Sequence, residues 1–278
     1  MNSLEGLLRN ALLAAARSAR LKAMALRLPV TAAVVRRFVP GETIAECLAA
    51  VRALAADGLH ASIDFLGEDT TSPAQAAAVR DGYLEVLARL SAEGLTGTAE
   101  VSVKLTALGL GLPDGRGLAL AHAREICAAA SAAGTTVTVD MEDHTATDAT
   151  LGILAELRRD YPDAGGVLQA YLHRTLDDCT LLAGEKSRIR LCKGAYAEPA
   201  EVAHQTREEV STAYVACARV LMAGDGYPML ATHDPEMIAA VAELAAQYGR
   251  EPGSYEYQML YGIRSDEQRR LAATGEAV

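Results

Sequence analysis

Tryptophan is absent from the 278 residues, and phenylalanine occurs only twice. No CxxC pair occurs among the five cysteines, Cys47, Cys127, Cys179, Cys192 and Cys217. An odd count without a CxxC pair fits free thiols in a reducing cytoplasm rather than a disulfide frame or a zinc site. There is no excess of positive charge: 26 basic residues stand against 36 acidic ones, a formal net charge of −10. That argues against a nucleic-acid partner, which needs a basic field. No apolar run approaches the roughly 18 residues of a membrane-spanning helix. The opening "MNSLEGLLRNALLAAARSARLKAMALRLPV" has arginines interrupting its apolar runs and no clear cleavage site. It reads as an amphipathic helix rather than a targeting segment. No internal repeat or low-complexity linker divides the chain. No GxGxxG turn follows the first strand-like run; the glycines of "LGLGLPDGRG" have neither that spacing nor that place, which counts against a Rossmann-type site.

What the chain does have is alternation. Short β-branched runs at 60–67, 99–108, 135–143, 166–173, 188–194, 227–234 and 255–262 read as seven strands. Between them lie Ala-rich helical stretches at about 72–92, 117–133, 147–160, 175–184, 198–223 and 235–248, with a last one near 265–274. A further helix at 43–57 precedes the first strand and is expected to wrap the sheet. Ser72 before Pro73 and Asp234 before Pro235 are helix-start signals. Strict alternation implies a parallel sheet covered by helices. With half its residues hydrophobic, the chain has the length of a single (β/α)8 TIM-type barrel, which takes about 250 residues. The expected layout is one domain over 1–278, with N-terminal helices at 1–58 and the barrel at 59–278. Seven strands leave an eight-stranded barrel one short. The expectation is therefore that the eighth strand and last helix are missing, since an open parallel edge would be unpaired and sticky.

Polar residues gather at the carboxyl ends of the strands: Asp64, Lys104, Asp140, Gln169, Lys193, His233 and Gln258. In a barrel this is the catalytic face. "RIRLCKGAY" is notable because Arg190 sits inside a strand and Lys193 at its exit, and buried positive charge needs an anionic or electron-rich partner. Lys104 suits a Schiff-base nucleophile, a charge anchor or an ion-pair member. "VDMEDH" offers Asp140, Glu142, Asp143 and His144 either as a metal cluster or as a solvated acidic turn with one inward Asp. Gln169 is an amide able to donate and to accept. His233 in "ATHD" suits a cap neighbour, a base or a cofactor contact. The tyrosines of "YEYQMLYGIR" read equally as core packing.

Taken in order, "VSVKLTALG", "VDMED", "LQAY", "RLCKGAY", "ATHD" and "YEYQMLYGIR" on successive strands resemble proline dehydrogenase. The likeness covers about residues 10 to 278 and is to the compact bacterial monofunctional form. It implies a distorted barrel holding FAD across the strand ends. The implied activity is oxidation of L-proline to Δ1-pyrroline-5-carboxylate, with electrons passed to a quinone. It places Arg190 at the flavin N5 edge, Gln169 at the flavin ring, and Lys193, Thr232 and His233 along the ribityl, phosphate and adenosine portion. Gly194 and Ala195 would let backbone approach the cofactor. Lys104 and Asp140 would lie at the substrate pocket, with Tyr196 and Leu260 as its walls. The implied location is the cytoplasm, peripheral at the inner face of the membrane. A separate pyrroline-5-carboxylate dehydrogenase would act downstream. The family's eighth strand carries a pocket tyrosine, and its final helix carries two adjacent arginines that grip the substrate carboxylate; neither follows Val278 here. Two other readings stay open: an inactive flavin-binding fragment, and a Schiff-base aldolase-type lyase using Lys104 or Lys193.

Overall fold

The computed structural model describes residues 38–278 except 66, 68, 69 and 185; the expected N-terminal amphipathic helix lies outside the described residues. The β-branched runs form seven strands: β1 (Ala61–Ile63), β2 (Ala99–Val103), β3 (Val137–Val139), β4 (Gly165–Gln169), β5 (Arg188–Cys192), β6 (Tyr227–Ala231) and β7 (Glu256–Gln258). They lie side by side in chain order, and each neighbouring pair is parallel. The crossovers carry α2 (Pro73–Ala92), α3 (Gly115–Ala133), α4 (Thr147–Leu157), α5 (Thr175–Leu182), α6 (Arg207–Ala223) and α7 (Pro235–Tyr248). Helix α1 (Ile44–Ala56) precedes β1, and α8 (Ser265–Ala273) follows β7.

Local chemistry sets the helix starts. Thr43 and Glu46 form a reciprocal capping box at α1, as Thr206 and Glu209 do at α6. Ser72 and Asp234 cap α2 and α7, each followed by a proline in the first turn. The expected helix over 198–223 starts only at Arg207. Residues 195–206 instead form an irregular loop containing Pro199, and Thr206 is the cap that starts the helix.

Strand parity divides the sheet into a dry outer face and a polar inner one. Val101, Val137, Ile189 and Leu230 face outward into the helices. Leu48 and Val51 of α1 join the same outer core, so this helix does pack on the sheet. Each such aliphatic side chain, fully buried, contributes about 1.5–3 kcal/mol. The alternate residues, among them Ser62, Glu100, Ser102, Thr138, Arg188, Arg190 and Gln258, turn inward and bond to one another.

The sheet curls as a (β/α)8-type barrel, and its two edge strands are linked rather than bare. Tyr257 N at β7 donates to Ala277 O (2.9 Å), and His60 N at the start of β1 donates to Val278 O (2.8 Å). The last two residues thus sit in the seam where an eighth strand would begin.

Candidate active site

The interior of the curled sheet is a charged ladder running from floor to mouth. On the floor, Glu100 of β2 accepts from Arg188 Nη2 (2.9 Å), Thr136 Oγ1 (2.9 Å), Thr138 Oγ1 (2.9 Å) and Ser62 Oγ (3.1 Å). Burial pushes its carboxyl up, but Arg188, Arg190 and these hydrogen bonds outweigh that and hold it below the ordinary range. One rung higher, Arg190 is held on all sides. It donates to Asp140 Oδ1 (2.6 Å), Ser102 Oγ (3.0 Å), Ser62 Oγ (2.9 Å) and Gln258 Oε1, and it stands 3.6 Å from Glu100. A guanidinium fixed by five neighbours presents its charge in one orientation.

At the mouth, Lys104 pairs with Asp64 and lies 3.8 Å from Asp140. Burial lifts the Asp64 carboxyl above the ordinary range in spite of Lys104, and the charge of Asp140 adds to the rise. Lys104, Asp140 and Arg190, which the sequence placed on three strands, are therefore one connected group.

The second half of the mouth is built from β4 to β7. Lys193 Nζ donates to Asp234 Oδ2 (2.8 Å) and Ser211 Oγ (2.9 Å), and its hydrogen bond, helped by the backbone N–H of Glu236 and by its charge, holds Asp234 below the ordinary range. Thr232 is buried and its hydroxyl accepts from Asp234 N (3.1 Å). His233 Nε2 accepts from Leu260 N (2.8 Å), which keeps that ring nitrogen unprotonated; burial and then Arg264 lower its pKa further. Leu260 itself is 69% exposed beside the mouth. Gln169 Nε2 donates to the carbonyls of Met141 (3.1 Å) and Glu142 (3.0 Å). With its amide group fixed that way, the buried Gln169 Oε1 is left with no partner. Gly194 has φ 111°, and a Cβ there would lie 2.3 Å from the Tyr171 ring. Its glycine is demanded by backbone conformation and by this ring. Tyr196 and Ala195 follow in the loop after β5.

Lys104, Asp140, Arg190, Lys193, Thr232 and His233 line one cleft of about 2890 Å³ that also takes in Tyr171, Ile263 and Val278, whereas Gln169 is buried and is not part of its lining. Among the described residues no group of three or more His, Cys, Asp or Glu side chains is arranged to hold a metal. The acidic turn resolves into separate structural tasks. Glu142 is buried and accepts from Thr106 N (3.0 Å) and from its hydroxyl. Asp143 caps the short 3-10 turn at His144–Ala146.

A family model described as proline dehydrogenase matches residues 47–278. The chain belongs to the proline dehydrogenase family. It is 38% identical to proline dehydrogenase of Deinococcus radiodurans over 87% of this chain and 78% of that one. It is 35% identical to proline dehydrogenase 1 of Bacillus subtilis over 86% of this chain and 78% of that one. Among solved structures, it resembles proline utilization A (PutA) from Bdellovibrio bacteriovorus inactivated by N-propargylglycine. That match has a TM-score of 0.83 at 23% identity and covers 89% of this chain but 30% of the larger protein, so the likeness is one of fold.

Membership in the proline dehydrogenase family gives the ladder its setting but does not supply its lower rungs. Glu100, Ser62 and Ser102 were not singled out from sequence. A signal was available: in "EVSVK" Glu100 and Ser102 share the strand face of Lys104. Asp64 and Gln258 were noted only as strand-end polar residues. Glu198, which binds His144, gave no signal, because its partner lies 54 positions away.

Proposed function

We propose that the chain oxidises L-proline to Δ1-pyrroline-5-carboxylate with FAD held across the mouth of the barrel. The observation that carries this reading is the convergence of Lys104, Asp140 and Arg190, from three strands, on one cleft within a family-matched fold.

The residues present fit a flavin. The orphaned, inward-facing Gln169 Oε1 asks for a hydrogen-bond donor, which the imide edge of an isoalloxazine has. Lys193 brings a positive charge to the same rim for a diphosphate, with Thr232 and His233 beside it and the backbone of Gly194 and Ala195 exposed to the cleft. Bound FAD would supply the two-electron acceptor for the C–N bond of proline.

Each protein group then has a defined task. Arg190, fixed by Asp140 and Gln258, directs a permanent positive charge to where negative charge develops on oxidation. Lys104, held by Asp64 and Asp140, presents an ammonium to the proline carboxylate. Asp140 joins the two cations and sets their separation. Tyr196 and Leu260 wall the ring of the substrate. Catalysis is alignment and charge placement, with no covalent attack by the protein. The Schiff-base alternative loses support here, because the Lys104 ammonium is committed to two carboxylates and the Lys193 ammonium to Asp234 and Ser211.

The reading extends to a quinone as electron acceptor, to a cytoplasmic protein docked peripherally at the inner membrane face, and to a separate downstream dehydrogenase. No helix among the described residues is long and apolar enough to cross a membrane.

The test is a visible spectrum of the purified chain, followed by L-proline without oxygen. Flavin bands that bleach on proline are expected. Yellow protein that proline leaves unbleached would favour the inactive flavin-binding fragment, and colourless folded protein would remove the flavin assignment.

A further inference from the structure

The loop after β5 carries Tyr196, yet it is irregular from 195 to 206 and half-exposed. Something must fix it if Tyr196 is to be a wall. Backbone bonds zip it to the loop after β4: Tyr171 N donates to Lys193 O (2.9 Å), His204 N to Tyr171 O (2.8 Å) and His173 N to Val202 O (2.9 Å). Arg174 at the end of the β4 loop pairs with Asp148 (2.6 Å), and Lys193 at the start of the β5 loop with Asp234 (2.8 Å); none of these bonds holds the segment that directly follows Tyr196.

Glu198 supplies the tie. Its side chain is only 4% exposed, although neighbouring Ala197 and Pro199 face solvent. One carboxylate oxygen accepts from His144 N (2.9 Å), and the other bonds His144 Nδ1. The Tyr171 hydroxyl donates to the first oxygen (3.4 Å) and in turn accepts from the backbone N–H of Tyr196. Burial, then the charge of Glu198, raises the Tyr171 pKa, so the phenol keeps the proton it donates.

We propose that Glu198 is a positioning residue. It pins the Tyr196 loop to the β3 exit through His144 and to the β4 exit through Tyr171, and so sets the proline pocket's width. The inference rests on the reading of Tyr196 as a pocket wall. It assigns His144, left over from the acidic motif, as the outer anchor. A carboxylate accepting charge-assisted or paired hydrogen bonds in a buried setting is stiff. Its loss frees the 195–200 end of the loop, because the loop's buried apolar contacts, Val202 and Ala203 against Tyr171 and Leu172, lie at its other end.

The experiment uses the full chain, loaded with FAD, as parent, E198A, E198Q, H144A, H144N, the E198A/H144A double variant and Y196A. Two quantities are read: steady-state KM and kcat for L-proline, and amide exchange at Tyr171, His173 and His204, whose backbone N–H groups donate to Lys193, Val202 and Tyr171 and none of them to Glu198. E198A is expected to raise KM about five- to tenfold with kcat within twofold, and to speed exchange at those amides at least tenfold. H144A should act in the same direction. H144N, which keeps a donor near the Nδ1 position, should recover most of the loss, and E198Q should fall between parent and E198A. The double variant should be no worse than E198A, since contacting residues couple. E198A with KM within twofold of parent and unchanged exchange would overturn the proposal, as would additive single effects. Y196A separates the two layers. If Y196A leaves KM unchanged, or if no variant or parent turns proline over, the wall reading fails. Exchange alone then decides the strut: faster exchange in E198A and H144A supports it, and parental exchange overturns it.

Discussion

Replacing Glu100 tests whether the ladder is held by its lowest carboxylate. Glu100→Ala would remove the acceptor of Arg188, Thr136, Thr138 and Ser62 and, besides Asp140, the second negative charge beside Arg190 in one step. Breaking a buried ion pair from one side costs about 3–5 kcal/mol, because the remaining charge stays buried and uncompensated. At about 2–4 °C per kcal/mol for a chain of this order of size, the melting temperature should fall by roughly 6–20 °C. Glu100→Gln keeps the shape and one acceptor, so its loss should be nearer about 2 kcal/mol. The pH dependence has a defined sign. The folded carboxyl titrates below its ordinary value of 4.5, so its stabilisation is complete above that pH and is lost as pH falls through the folded value. Thermal melts of parent and E100Q from pH 7 to 3.5 should therefore converge in acid. Melting temperatures equal at pH 7, or parallel acid limbs in the two proteins, would refute the reasoning that Glu100 is an ionised anchor.

Three further outcomes follow from single contacts. Gly194→Ala combines a left-handed φ with a Cβ 2.3 Å from the Tyr171 ring, and should destabilise by about 3 kcal/mol in chemical denaturation. Lys104→Met removes the mouth ammonium and leaves Asp64 and Asp140 facing each other; KM for proline should rise about tenfold or more in steady-state assays. The His233 pKa is lowered by burial and then by Arg264, so its bond from Leu260 N is fully available above 6.5 and is lost as pH falls through the folded value; the protection factor of the Leu260 amide, corrected for the intrinsic pH dependence of exchange, should fall in acid and lose that pH dependence in H233A.

The strand and helix order was readable because each element carries its own period and its own start signal. Ser72–Pro73 and Asp234–Pro235 mark α2 and α7 where the structure has them. The site was readable at the strand ends, where Lys104, Asp140 and Lys193 stand out as charges after apolar runs. It was unreadable inside the barrel. There Glu100 and Ser102 look like ordinary alternation on a half-exposed strand, and only closure of the sheet shows that their face is internal. The helix expected from residue 198 failed for a related reason: Glu198 and Pro199 suit a helix start, but Glu198 is committed to His144 across the mouth, and Thr206 captures the start instead. Long-range partners of this kind leave no local trace.

The two-residue bridge at the seam also bears on how the molecule assembles. Every strand pairing except this one joins sequence neighbours and can zip progressively along the chain. The contacts of His60 with Val278 and of Tyr257 with Ala277 link β1 to β7, and among the described residues the loop they close is the longest. Loop-closure entropy predicts that such a contact forms late, after the sheet between its ends. Weakening it, for example by a proline at His60 that deletes the donor, should leave refolding rates near those of the parent and quicken unfolding. Ring closure would then act as a latch on the folded barrel, governing how long it lasts more than how fast it forms.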